Sequence, residues 1–325
     1  MRYLVRRIVL FILALWAISI LIFASLRILP GDIATVMAGI NSSPEQVAGL
    51  RLRLGLNRPL PAQYGSWLKD LVHGDFGFSM LTGRSISEQV AARASVTFPL
   101  VGLGIVLALV IGLTMGCLAV MARSTRLRSF CHMLALVAGS IPVLWGGLLL
   151  ILLFSRGTGL IQIFPSQGFP DTGWRRPAEA LQTMALPAAT LGLVVGASIT
   201  RYTRSALNDI AGSGWIDMAR SCGMTRNQAL MRVGLRLTLP QLVSVVGLTF
   251  AEMITGAMVV ENLFALPGLG SGLITDIGNR DLIAVQSELF MLAAFFLVIG
   301  LIVDLLHRLL DPRLKESTVT GRGRS

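Results

Sequence analysis

The chain has 325 residues, of which 54% are hydrophobic and only 14% charged, and its formal net charge is +11. So few charges, with several charge-free runs near bilayer length, exclude an ordinary soluble domain and leave a multi-span membrane protein. The positive excess is almost wholly arginine and is read as topology-setting charge on loops, not as a nucleic-acid surface.

Arg2, Arg6 and Arg7 precede a charge-free run from Ile8 to Leu26. That run is too long for the core of a secretory signal, and no cleavage pattern follows before Arg27. Residues 1–28 are therefore expected to be an uncleaved first transmembrane helix. With the first span at roughly 8–28, others are predicted at roughly 96–121, 133–154, 181–200, 241–260 and 286–306. Three arginine-rich stretches fall on one side. They hold Arg123, Arg126 and Arg128; then Arg201, Arg204, Arg220, Arg226, Arg232 and Arg236; then Arg308, Arg313, Lys315, Arg322 and Arg324. The bias places both termini in the cytoplasm.

On the opposite side, 29–95 is too long for a simple loop. Ser43-Pro44-Glu45-Gln46 offers a helix cap, a proline at the first helical position and a Gln at the third, with a stop at Gly55. Tyr64, Trp67, Leu68 and Leu71 form a helical stripe ending at Gly74, and Ser85 with Glu88 repeats the capping pattern. An extracytoplasmic helical segment is expected here. Residues 96–306 would form a core of five further spans with a cytoplasmic loop at 201–240, and 307–325 a cytoplasmic tail.

The 201–240 stretch is polar yet patterned for helix: Trp215, Ala219 and Cys222 share one face while Asp217, Arg220 and Ser221 point elsewhere. Anchored in the membrane at both ends, it suits docking of another protein. The chain carries no ATP site of its own, because a phosphate-cradling loop needs a Gly-Lys pair and the lysines, Lys69 and Lys315, both follow leucine. Cys117, Cys131 and Cys222, and His73, His132 and His307, are spaced for neither zinc nor disulfides, so no metal is expected.

Within the spans, Pro99 is expected to kink or reset its helix. Gly112 with Gly116, and Gly192 with Gly196, have the spacing that lets backbones pack closely, against this chain's own helices or a partner's. Pro267-Gly268-Leu269-Gly270 cannot continue a helix and must turn, as part of an external gate or as a plain interhelical turn. Glu252 lies midway along the fifth span, where an unpaired carboxylate is expensive. It either faces a wet cavity or partner on a translocation path, or is held by a neighbouring helix or protonated in place. Asp304 is expected to snorkel or pair with an arginine.

Several marks run in order along the chain: Leu29-Pro30-Gly31-Asp32, Gly55-Leu56-Asn57-Arg58-Pro59, Gln63-Tyr64, Trp67-Leu68, and Gly74-Asp75-Phe76-Gly77-Phe78-Ser79. Later come Asp217-Met218-Ala219 with Gly223, then Glu261-Asn262-Leu263-Phe264, Pro267 to Gly270, Arg280-Asp281, Val285-Gln286, Val303-Asp304-Leu305 and Leu310-Asp311-Pro312-Arg313. Together they resemble the dipeptide/oligopeptide/nickel family of ABC importer permeases, in particular its "B"-type peptide permease. In the family's "EAA" loop, Asp217 stands for the first Glu and Met218 for the first Ala.

The resemblance implies an all-α integral membrane protein with six transmembrane helices, the type I ABC importer permease architecture, in a bacterial inner membrane. It implies a translocation subunit for di- or oligopeptides that is not itself an enzyme. Trp215, Asp217, Met218, Ala219, Arg220 and Gly223 would form the ATPase-coupling loop, and Glu261, Pro267, Gly268 and Gly270 the outer gate. Implied partners are a second homologous permease, two ATP-binding subunits or one fused ATPase carrying ATP and magnesium, an extracytoplasmic substrate-binding protein and membrane lipid. Nickel chelates, glutathione or antimicrobial peptides are alternative cargoes. A stand-alone secondary transporter would want inverted repeats and paired intramembrane carboxylates, and an intramembrane hydrolase a nucleophile motif that the sequence lacks.

Overall fold

A chain in hydrocarbon has no water to satisfy its backbone, so helix is the conformation these apolar runs adopt. The computed structural model describes residues 2–28, 33–39, 42–79 and 82–310. In chain order the helices are α1 (Arg2–Ile28), α2 (Ile33–Ala38), α3 (Pro44–Arg53), α4 (Leu60–Val72), α5 (Ile86–Met121), α6 (Thr125–Ser140), α7 (Val143–Phe154), α8 (Pro177–Ala211), α9 (Gly214–Ser221), α10 (Arg226–Ala229), α11 (Leu235–Leu263), α12 (Leu269–Gly278) and α13 (Leu282–Leu310). A π-helical turn, Leu230–Gly234, joins α10 to α11. Leu29 to Asp32, Asp311-Pro312-Arg313 and the remaining tail lie outside the described residues.

Leu4–Ile28, Ile86–Met121, Pro177–Ala211, Arg226–Leu263 and Leu282–Leu309 are long and apolar enough to cross a membrane. The span predicted at 133–154 is not a single helix: α6 and α7 meet at 109°. Pro142 is the reason. It has no N–H to donate and it drives the residue before it out of the helical region, and Ile141 is extended at φ −82°, ψ 122°. Pro99 has no such effect, because α5 passes through it unbroken, as α8 passes Pro187 and α11 passes Pro240. At 36 residues, α5 is about 54 Å long, well beyond a hydrocarbon core of about 30 Å.

The segment after α1 is helical, as its caps predict. Ser43 Oγ accepts the Gln46 N–H at 3.3 Å while Gln46 Oε1 accepts the Ser43 N–H at 3.0 Å. Pro44 opens α3, and Gly55 at φ +64° ends it. Gly74, at φ +75°, follows α4 in the same way.

The chain divides into two compact units, one of residues 1–97 and 267–298 and the other of residues 98–266 and 299–325. In the first, α4 lies against α1 and α13 through aromatic contacts. The Tyr64 ring meets Phe23 edge-on at 5.3 Å, Trp67 meets Phe290 at 6.0 Å, and Ser19 Oγ and Tyr64 OH share a hydrogen bond of 2.7 Å.

In the second unit α8 is the central helix, packed against α6, α7 and α11. The glycine spacings serve this chain's own packing. A Cβ on Gly112 would stand 2.5 Å from Ile199, one on Gly116 2.5 Å from Thr203, and one on Gly192 2.7 Å from Leu107. The absence of side chains there lets α5 and α8 approach closely, which is how helices gain contact energy where the surroundings are equally apolar. Gly112→Leu should therefore cost about 1–3 kcal/mol of overpacking, read as a lower thermal midpoint in detergent. Gly300→Leu, where nothing lies within 4 Å of the added carbon, should leave the midpoint unchanged.

Candidate functional site

Helix α8 continues to Ala211 and helix resumes at Arg226, so the irregular part of the 201–240 segment is short and encloses α9. Ile216 and Ala219, three residues apart, turn into an apolar cluster with Val120 of α5, Leu207 of α8, Ala229 and Leu230. Trp215, Ala219 and Cys222 share one face by spacing, and of the three only Ala219 is buried. Trp215 is 61% exposed, Met218 is 65% exposed, and Cys222 is an exposed C-cap. In a helix of 8 residues the pattern alone leaves open which side is buried. The seat formed by Val120, Leu207 and Leu230 decides it by taking Ile216.

The residues after α9 hold it in place. Gly223, at φ +89°, donates its N–H to Arg220 O at 2.9 Å, and Met224 donates to Ala219 O at 3.2 Å, closing the helix with a left-handed glycine. Thr225 and Gln228 form a reciprocal cap on α10, and Asn227 Nδ2 donates to Met121 O at 2.9 Å, tying α10 to the end of α5. Asp217 and Arg220 are 3.9 Å apart with exposed side chains, a pair worth at most about 0.5 kcal/mol.

The other predicted residues do not form one constellation. Glu252 is exposed on α11 and makes no hydrogen bond to a neighbouring helix among the described residues. Glu261 is wholly buried near the end of α11, and its carbonyl accepts the Leu266 N–H at 2.8 Å. Pro267, Gly268 and Gly270 belong to the first unit, whereas Glu261 belongs to the second. The run from Pro267 to Gly270 is not merely a turn: Gly268 caps α12, donating to Ser271 Oγ at 3.0 Å, and Leu269 donates to Thr97 Oγ1 at 2.8 Å.

Sequence reasoning missed the main polar cluster of the first unit. Arg93 of α5 pairs with Asp276 of α12 at 2.5 Å and with Glu288 of α13. Glu288 is fully buried, and its Oε2 has no hydrogen-bond partner among the described residues. Gly272 makes room for this arginine, since a Cβ there would stand 2.6 Å from the guanidinium. Asp281, also buried, accepts the Ser79 hydroxyl and, at 3.3 Å, the Ala284 N–H at the start of α13. Glu288, a carboxylate inside the last apolar run, was the available signal.

A family profile described as "Binding-protein-dependent transport system inner membrane component" matches residues 89–316, and a second, for the N-terminal part of such membrane components, matches residues 1–97. The chain belongs to this family. A peptide transport system permease protein of Brucella abortus (strain 2308) is 35% identical over 92% of this chain and 94% of its own length. The dipeptide transport system permease protein DppB of Escherichia coli (strain K12) is 32% identical over 97% and 99%. The glutathione transport system permease protein GsiC of Escherichia coli O1:K1 / APEC is 30% identical over the same shares. Among solved structures, a chain of the inward-facing MetNI methionine ABC transporter superposes with a TM-score of 0.55 at 21% identity, covering 68% of this chain and 96% of that one. That likeness concerns the fold, which is the type I ABC importer permease architecture.

This permease therefore carries two kinds of site: a small helix seated on an apolar core, and a buried ionic cluster that joins α5, α12 and α13. Removing one member of a buried ion pair leaves the other charge uncompensated. Arg93→Met should lower unfolding stability by about 3 kcal/mol, whereas Glu252→Gln, at an exposed unpartnered position, should shift it by less than about 0.5 kcal/mol. Denaturation of the two purified variants beside the parent checks both.

Proposed function

We propose that this ABC importer permease is the translocation subunit for di- or oligopeptides, moved by ATP hydrolysed with magnesium on partner subunits docked at α9. One observation carries the coupling role. Helix α9 is held from beneath by Ile216 and Ala219 while Trp215 and Met218 stand exposed on it. An exposed large aromatic beside a flexible thioether at the centre of a short helix is the composition of a protein-docking anchor.

The arginine bias of the sequence supports the cytoplasm as the side on which α9 lies, with both termini there. The segment of α2 to α4 then faces outward, toward a substrate-binding protein. A second permease would complete the pathway, and exposed Glu252 is a group that such a pathway or partner would face. Closing of the ATPase pair would displace α9 and, through its seat, the ends of α5 and α8, alternating access between the two sides. Peptide cargo rests on the relatives named for peptide and dipeptide transport, and the glutathione system's permease keeps that cargo as the alternative.

Met218→Asp and Trp215→Ala should weaken capture of the ATPase subunits by at least about tenfold, the loss of a single anchor residue. Folding should be unchanged, because both side chains are exposed. Co-purification and transport-linked ATP hydrolysis read the two effects. Full assembly and full transport by both variants would refute docking at α9. Gly223→Val should also impair coupling, by forcing a branched side chain into the left-handed region at about 1–2 kcal/mol, with membrane insertion intact by membrane fractionation.

A further inference from the structure

The first unit contains a cavity of about 480 Å³, open on one side and lined by the end of α1, the turn after α3, α4, the 75–78 turn and the start of α13. Its lining carries the donors Arg27, Arg58, Gln63 and Gln286 together with two carboxylates, Asp70 and Asp75. Arg27 stacks on the Phe23 ring at 3.6 Å and reaches only amide oxygens, Gln63 Oε1 at 3.4 Å and Gln286 Oε1 at 3.3 Å. No carboxylate pairs with it among the described residues. Gln63 is committed elsewhere, its Nε2 donating to Leu56 O and Arg58 O.

Gln286 is 7% exposed, and its Nε2 has no hydrogen-bond partner among the described residues. The guanidinium fixes the orientation of that amide, because reversing it would set donor against donor. A half-buried cation and a buried donor without a partner among the described residues, both lining the cavity, call for an anionic acceptor with several oxygens. Asp75, on the cavity's exposed side, already spends Oδ1 on the Gly77 N–H at 2.8 Å.

The cavity's place in the fold narrows the anion. Arg27 stands in the last turn of the apolar run Leu4–Ile28, beside Tyr64 and Trp67, the residue types that gather at the level of lipid headgroups. Its mouth carries exposed apolar side chains, Leu52 at 70% and Phe78 at 62%. Anion-binding donors at depth and apolar groups at the mouth suit an amphiphile. We propose that this cavity binds the phosphate of a membrane glycerophospholipid on Arg27 and Gln286, with exposed Arg58 at the rim. Ordinary charge-assisted hydrogen bonds supply the affinity, and no covalent chemistry is involved.

The test uses the full-length chain in detergent and native mass spectrometry with three probes: phosphatidylglycerol, a diacylglycerol with the same tails, and inorganic phosphate. Saturable binding of phosphatidylglycerol is expected, with none of diacylglycerol and no displacement by millimolar phosphate. Arg27→Gln and Gln286→Met should each weaken binding by about tenfold, the loss of one charge-assisted or buried hydrogen bond. Arg58→Gln, an exposed change that leaves the fold untouched, should weaken it less but measurably. Unchanged affinity in all three variants, equal binding of diacylglycerol, displacement by free phosphate, or displacement by a dipeptide would each overturn the assignment.

Discussion

Two long helices that meet through glycine set the frame on which the second unit depends. In hydrocarbon, packing leucine against leucine removes nothing from water, so helices associate where backbones come close. The contacts of Gly112 with Ile199 and of Gly116 with Thr203 run along one stripe of α5 and one of α8. One turn further along each stripe stand Val120 and Leu207, which with Leu230 form the seat of Ile216. Helix α9 therefore sits at the end of the same seam, and a displacement of α9 is a displacement of the ends of α5 and α8. The 8-residue helix has little cooperativity of its own and keeps its shape because of that seat, the glycine turn after it and the cap on α10.

The first unit solves a different problem, which is to place charge where water is scarce. Arg93 answers Asp276 and Glu288, and Gly272 gives it room. Ser79 and Asp281, from segments far apart in sequence, meet each other, so the Gly-Asp-Phe-Gly-Phe-Ser run and the Arg-Asp pair are two sides of one contact. Gln63 likewise braces the turn that contains Arg58. These family marks have local physical causes: each satisfies a buried polar group or closes a turn.

Much of this was legible in the sequence wherever the signal was local. Caps at Ser43 and stops at Gly55 and Gly74 fixed α3 and α4, and apolar runs located the long helices. The bend at Pro142 divides one apolar run into α6 and α7, whereas Pro99 lies inside a continuous α5, and the apolar pattern by itself does not distinguish the two prolines. Which side of α9 is buried was out of reach, because its seat combines Leu207 and Leu230 with Val120 of α5, which is distant in sequence. The Arg93 cluster was hidden for the same reason: its members lie on three helices, and no spacing in the chain links them. Glu252 stands out in the apolar run of α11, and among the described residues it has no partner.

The central claim is that this permease moves only as an engine bound at α9 moves it. Reconstitution into liposomes with and without the ATP-hydrolysing subunits tests it most directly, with peptide uptake measured against a gradient. Accumulation is expected only with those subunits and ATP present. Uphill accumulation by the chain without them would contradict it.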